Sequence, residues 1–327
     1  MAMMPTEPRW TGAVIGLGRV GMGYDYACTD GSRILSHAQA FRHHPRFTLA
    51  GGVDPDPERR RLFAAKFNIP AFATAAELFA AVQVDVVALA TPTPAHVDSF
   101  QAIRPFPWKL ILCEKPIALT LEEARVMVEW TSASGRVMAV NYMRRTEPGA
   151  ETVREMIGSG GLGEVFKGTV WYSKGMLNNG SHFVDLLIHW LGEVRQIRPL
   201  SPGRSWNGTD PEPDVKITFG GTDVYFLAGR EEVYNVAEIE LHGTEGKLHY
   251  GRSGHEIFCW RRAPDPANPG FTPLTGVPDV IPNDADRFQF HVLEQLSAVL
   301  DGRIREPASS GRTALHTLET VLKAVAR

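Results

Sequence analysis

An α/β unit followed by an α+β unit is the fold this sequence predicts, and three observations predict it. Over the first 140 residues, short apolar runs alternate with amphipathic ones, the pattern of βαβ units and of a parallel, doubly wound sheet. Glycines at 16, 18 and 21 directly follow the first apolar run, where such a sheet turns from strand to helix. After Asn141 the alternation stops, and strand-like runs follow one another across glycine turns, which predicts a large, mainly antiparallel sheet.

Taken in order, the first unit has strands at 12–16, 48–53, 84–90, 110–113 and 137–140, each a short apolar run. Helices at 57–67, 75–81, 95–102 and 121–132 separate them, and the next helix after the glycine turn holds His37-Ala38-Gln39-Ala40-Phe41. A helix at 149–157 opens the second unit, ahead of strands at 164–172, 215–219, 224–228, 237–241, 247–250 and 256–261. Phe219-Gly220-Gly221-Thr222 and His242-Gly243-Thr244-Glu245-Gly246 are turns between antiparallel strands. Prolines and glycines between 263 and 282 describe an irregular loop, and helices at 285–300 and 310–326 close the chain. The expected domains are 1–141 and 142–327, with the closing helix packing back on the first.

At 327 residues, 43% of them hydrophobic, the chain can fill two cores. A net charge of −3, with no Lys/Arg run that would make a patch, argues against nucleic acid or an anionic membrane as partner. Cys28, Cys113 and Cys259 lie far apart with no C-x-x-C spacing, so neither a disulfide framework nor a thiolate metal site is expected, and a cytoplasmic location fits. Residues 1–10 hold two prolines and no apolar core, so no export signal is expected there. No stretch reaches the roughly 18 apolar residues of a membrane span.

Two motifs carry chemistry. Gly16-Leu17-Gly18-Arg19-Val20-Gly21 is a G-x-G-x-x-G dinucleotide fingerprint: a tight turn, close approach to a pyrophosphate, and close helix-on-strand packing. The strand at 48–53 ends on Asp54, placed to accept hydrogen bonds from an adenosine ribose and to repel a 2′-phosphate, which favours NAD over NADP; the other reading is an Asp-Pro turn with Pro55. On a helix, His182, Asp185 and His189 stack on one face among Phe183, Val184, Leu186, Leu187, Ile188, Trp190 and Leu191. Three titratable groups in so apolar a helix are a core pair of histidines sharing a carboxylate, a zinc site, or a reacting set.

The order of these motifs, with Ala90-Thr91-Pro92-Thr93-Pro94-Ala95-His96, Glu114-Lys115-Pro116, Asn141-Tyr142-Met143-Arg144-Arg145, the Asp185-x-x-x-His189 helix, the Ile239–Gly246 hairpin and Gly311-Arg312-Thr313-Ala314-Leu315, resembles the Gfo/Idh/MocA family over nearly the whole chain. The resemblance implies an N-terminal Rossmann domain, and a C-terminal α+β domain whose open sheet joins copies into a dimer or tetramer. It also implies a metal-free site on which NAD lies against the glycine turn from Gly16 to Gly21 (Gly18, Arg19 and Val20 included), Asp54, Thr91, Pro92, Thr93, His96, Glu114, Lys115 and Asn141. Lys115 is the implied catalytic lysine, with Asp185 and His189 as partners. Removing a hydroxyl proton as hydride leaves asks for a base near working pH, for which histidine is suited. His189 is therefore the expected base, Asp185 its orienting carboxylate, and Lys115 the holder of the reacting oxygen.

The function implied is hydride transfer between NAD(P) and a hydroxyl or keto carbon of a sugar, cyclitol, sugar phosphate or nucleotide sugar. Tyr24, Tyr142, Arg144, Tyr172 and His182 are the expected substrate contacts, with Trp171, Lys174, Trp206 and Arg230 as further candidates. The alternatives are a regulator that binds dinucleotide or sugar without chemistry, and a reductase or dihydrodiol dehydrogenase of a sister branch. One passage departs from the family pattern: residues 22–33 lengthen the path from the glycine turn to the next helix. Two expectations stand for it, a lid built from Tyr24, Asp25, Tyr26 and Arg33, or a disordered surface loop.

Overall fold

The structure, a computed structural model, describes residues 10–326. The expectation that residues 1–10 hold no export signal lies, Trp10 apart, outside the described residues. The chain divides into two compact units, the first running to residue 146 and resuming at 286–315, the second comprising 147–285 and the residues from 316 on. The division thus falls at 146/147, five residues beyond the expected 141/142, and the first unit takes back a later segment of the chain.

In the first unit, β1 (Trp10–Ile15), α1 (His37–His43), β2 (Phe47–Val53), α2 (Pro57–Phe67), β3 (Ala71–Phe72), α3 (Ala75–Ala81), β4 (Val86–Leu89), α4 (His96–Ile103), β5 (Leu110–Cys113), α5 (Leu121–Ala133) and β6 (Val137–Val140) succeed one another. All six strands run parallel in the order β3-β2-β1-β4-β5-β6. The helices start where their side chains cap them: Asp56 accepts from Glu58 N ahead of Pro57, and Thr120 and Glu123 form a reciprocal capping box. The core is Val14, Leu17, Phe41, Phe63, Val86 and Leu112, all buried. Because β1 lies between β2 and β4, the winding reverses there, and loops at the carboxyl ends of β1 and β4 flank a ligand crevice in folds of this kind.

The second unit comprises α6 (Pro148–Gly158), β7 (Val165–Tyr172), α7 (Ser181–Leu191), β8 (Val194–Trp206), β9 (Asp210–Phe219), β10 (Thr222–Ala228), β11 (Ala237–Gly243), β12 (Gly246–Gly251), β13 (Glu256–Arg261) and the short β14 (Asp279–Val280). Its sheet runs β14-β13-β12-β11-β7-β10-β9-β8, antiparallel except for the parallel pair β10 and β7. Burial alternates along the strands: Val215, Ile217, Phe219, Val224, Phe226 and Ile239 form a core with Val153 of α6 and Phe183, Leu187 and Trp190 of α7. Intervening positions carry ion pairs such as Lys216 with Asp223 and Lys247 with Glu240. β8, absent from the sequence-based list, is hidden there by Pro199, Pro202 and Gly203, residues that an edge strand tolerates.

α8 (Phe288–Leu300) returns to the first unit, where its Val292, Leu293 and Leu296 join the core around Phe41. The stretch before α9 (Gly311–Val325) pairs with β6, through Val140 N to Ser309 O at 2.9 Å and a bridge between Ala139 and Ser310. Among the described residues, no helix is long and apolar enough to cross a membrane.

Candidate active site

The carboxyl ends of five parallel strands bring the expected nucleotide-binding residues of the first unit to one edge of its sheet. After β1, Gly16 adopts φ +95°, and a Cβ there would lie 2.7 Å from the backbone of Ala90 and Thr91. A Cβ on Gly21 would collide with the Gly16 carbonyl. Gly18, in contrast, faces open space, the nearest atom to a Cβ being Arg59 Nη1 at 4.0 Å. The first and third glycines are thus required by packing, and the second leaves room for a ligand. Residues 19–23 form a single π-helical turn, closed by Gly23 N to Gly18 O and Tyr24 N to Arg19 O. Exposed Arg19 stacks its guanidinium over Tyr24, which is itself exposed; Val20 lies on the same turn.

Asp54 directly follows β2 and is buried. Its Oδ2 accepts Leu17 N at 2.8 Å and its Oδ1 accepts Asp56 N at 2.9 Å, while Arg59 Nη1 stands 3.4 Å from Oδ2. The carboxylate therefore shapes the glycine turn, whatever else it binds. Beyond β4, Thr91, Pro92 and Thr93 form the expected turn, and the buried Thr91 hydroxyl has no hydrogen-bond partner. His96 is corrected from a cofactor contact to a strut. Fully buried, it places Nε2 at 2.9 Å from Thr91 O and Nδ1 at 3.1 Å from Ile117 O, tying the turn after β4 to the one after β5.

Lys115 follows β5 and is partly exposed, with a cis peptide to Pro116. Glu114 is corrected in the same sense as His96. Its Oε1 meets His37 Nε2 at 2.8 Å and takes Asn141 Nδ2 at 2.6 Å, and its Oε2 accepts Lys115 N at 3.3 Å. Burial raises its pKa, but donation from His37 and Asn141 and the charge of Lys115 more than offset this, and the carboxyl is held below its ordinary range. Glu114 is thus a buried anion beneath the lysine. His37, the partner that sequence reasoning missed, is the first residue of α1. Asn141 Oδ1 is buried without a hydrogen-bond partner. Tyr142 and Arg144 are buried rather than displayed, Arg144 lying over Phe288.

The passage from the glycine turn to α1 is an ordered segment anchored to the first unit, not a disordered loop. Asp25, Ile34 and Ser36 are buried, and Asp25 accepts from Leu35 N, Ser36 N and the Ser36 hydroxyl. Tyr24 and Arg33 remain exposed.

In the second unit, α7 is preceded by a π-helical stretch, Gly175–Gly180. Two carboxylates of β9 hold its amides: Asp210 accepts Leu177 N at 3.0 Å and Asn178 N at 2.8 Å, and Glu212 accepts Gly175 N at 3.1 Å. His182 follows directly and is 7% exposed. The expected pairing of Asp185 with His189 gives way to other partners. Asp185 Oδ1 accepts the Thr317 hydroxyl at 2.9 Å, and His189 Nε2 lies 2.7 Å from Glu151 Oε1 on α6. Glu151 is raised by burial but brought below its ordinary range by His189 and Arg154. Among the described residues, no three His, Cys, Asp or Glu side chains are grouped to hold a metal. Tyr172 is a core residue, not a substrate contact. It is fully buried, its hydroxyl donates to Pro213 O at 2.6 Å, and burial with nearby Glu212, Asp214 and Asp210 pushes its pKa far up.

The first unit suits a dinucleotide: a glycine turn with space at Gly18, an acid at the end of β2, and unpartnered polar atoms on Thr91 and Asn141 at the same sheet edge. A family model described as an oxidoreductase family with an NAD-binding Rossmann fold matches residues 12–142. The chain is similar to inositol 2-dehydrogenase 3 of Saccharopolyspora erythraea, at 23% identity over 90% of this chain and 87% of that protein. It is similar to the rhizopine catabolism protein MocA of Rhizobium meliloti, at 28% identity over 64% of this chain and 62% of that protein. Among solved structures it resembles the WlbA dehydrogenase of Bordetella pertussis in complex with NADH and UDP-GlcNAcA, with a TM-score of 0.75, 19% identity, and coverage of 98% and 96% of the two chains. With the glycine turn, the lysine after β5 and the two-sheet architecture all in place, the chain is similar to the Gfo/Idh/MocA oxidoreductases, the match to the family covering residues 12–142 of its first unit.

Proposed function

We propose that this protein transfers a hydride between NAD and a secondary hydroxyl of a sugar, cyclitol or activated sugar. The observation that carries the reading is Lys115 at the carboxyl end of β5, its amide bonded to the buried anion Glu114, on the same sheet edge as the glycine turn. The names of the relatives, an inositol dehydrogenase and a nucleotide-sugar-bound dehydrogenase among them, support the substrate class. Bound NAD would supply the hydride acceptor at the nicotinamide C4. The glycine-turn amides would hold the pyrophosphate and Asp54 the ribose, and Thr91 and Asn141 would offer hydrogen bonds along the edge. A carboxyl group at the end of β2 disfavours a 2′-phosphate there, the reason for placing NAD ahead of NADP.

Lys115 holds the reacting oxygen and stabilises negative charge developing on it. We assign the proton-accepting role to His182 in place of His189. Glu151 occupies His189 Nε2, the distal nitrogen with which an imidazole on a helix reaches outward. His182 lies seven residues earlier, about 10 Å along the axis, behind a turn fixed by two carboxylates. Asp185 is then a carboxylate that anchors α7 to α9 through Thr317. Assembly through the open face of the eight-stranded sheet, where Trp171 is exposed, completes the proposal.

The test is NADH formation by purified protein with NAD or NADP across free sugars, cyclitols, sugar phosphates and nucleotide sugars. A substrate-dependent signal that Lys115→Met abolishes, with NAD still bound, supports the reading. Binding without turnover across the panel favours a regulator.

A further inference from the structure

We propose that the excursion between the glycine turn and α1, residues 24–36, is a brace that positions Lys115, acting through His37 on Glu114; this rests on the role given to Lys115 above. The excursion is anchored at both ends and in its middle. Asp25, 4% exposed, takes Leu35 N at 2.6 Å, Ser36 N at 3.0 Å and the Ser36 hydroxyl, so the residue that caps α1 is fixed before the helix begins. Ile34, fully buried, donates to Asp286 O at 2.8 Å and accepts from Gln289 N at 3.2 Å. The Cys28 carbonyl accepts from Gln39 and from Lys66.

His37 emerges from this knot as the first residue of α1, 1% exposed, and closes on Glu114. The carboxylate has little freedom left: one oxygen is shared by His37 and Asn141, and the other faces the Lys115 amide. Removing the His37 donor unbalances the carboxylate that supports the lysine peptide. A shift of about 1 Å at a reacting group is enough to cost roughly 100-fold in rate. The groups facing Glu114 are His37 from α1, Asn141 after β6 and adjacent Lys115. Since burial opposes its charge, a Glu114 deprived of His37 takes up a proton at higher pH.

The experiment compares His37→Leu, His37→Gln and Asp25→Ala in the full chain, with two readouts. The first is kcat and the KM for NAD against pH; the second is the 13C resonance of dimethylated Lys115 in substrate-free protein, assigned through Lys115→Arg. His37→Leu should lower kcat about 10- to 100-fold while the KM for NAD stays within about twofold, and should add an acid titration step to the Lys115 resonance. His37→Gln, which keeps a donor at that place, should restore both, and Asp25→Ala should reproduce the leucine variant. Identical Lys115 titrations in wild type and His37→Leu, or a glutamine variant no better than leucine, would overturn the brace. If Asp25→Ala does not fold, the two His37 variants decide alone. If no alcohol is turned over by wild type, the functional reading fails while the Lys115 resonance still decides this one.

Discussion

The amide of Leu17 donates to Asp54 Oδ2 at 2.8 Å, which joins the glycine turn and the acid at the end of β2 into one structure. Asp54→Ser should therefore do two things. It should raise NADP affinity relative to NAD, and it should weaken both by loosening the turn. Titrating each nucleotide into the apoprotein checks this; an unchanged NAD/NADP ratio removes Asp54 from the ribose site.

The glycines of the turn separate by what surrounds them. Gly21→Ala, whose Cβ meets the Gly16 carbonyl, should lower the melting temperature and abolish NAD binding. Gly18→Ala fills space that only a ligand would use, so the protein should melt near the wild-type temperature and yet bind NAD more weakly. Equal losses of stability in the two variants would contradict the assignment.

The two histidines of α7 should behave differently. His182→Asn should reduce kcat by about 100-fold or more, as loss of a general base does, while His189→Gln should keep turnover within a few-fold of wild type and lose stability. The Glu151 pKa lies below its ordinary 4.5, so its stabilising effect is present above that pH and disappears as pH falls through the folded value. Melting curves of wild type and Glu151→Gln should thus differ at pH 7 and converge once the pH has fallen through the folded value. Steady-state kinetics and calorimetry separate the two sites.

Tyr172→Phe should cost about 1 kcal/mol, the worth of a buried hydroxyl bonded to a carbonyl, through loss of the bond to Pro213 O. The KM for substrate should not change. A raised KM at unaltered stability would return Tyr172 to the pocket.

Much of the first unit can be read from local sequence because its strands are short apolar runs between capped helices: β5, β6, α2 and α3 lie at the expected residues. Lys115 stands out only through the family resemblance, whereas the same locality marks the glycine turn. It could not find His37, whose partner Glu114 lies 77 residues away. Nor could helical spacing tell that Asp185 and His189, although stacked on one face, take their partners from α9 and α6. Tyr172 was readable in principle, since it shares a strand face with Val170, which is also fully buried. β8 was not, because its prolines and glycine mimic a loop.

The two outermost strands of the eight-stranded sheet decide whether a further strand can be added to it. On one side β8 interrupts its row of donors with Pro199 and Pro202; on the other, β14 is only two residues long. Neither rim is a template on which a further strand can zip. Lateral growth into fibrils is disfavoured by the same residues that obscured β8 in the sequence.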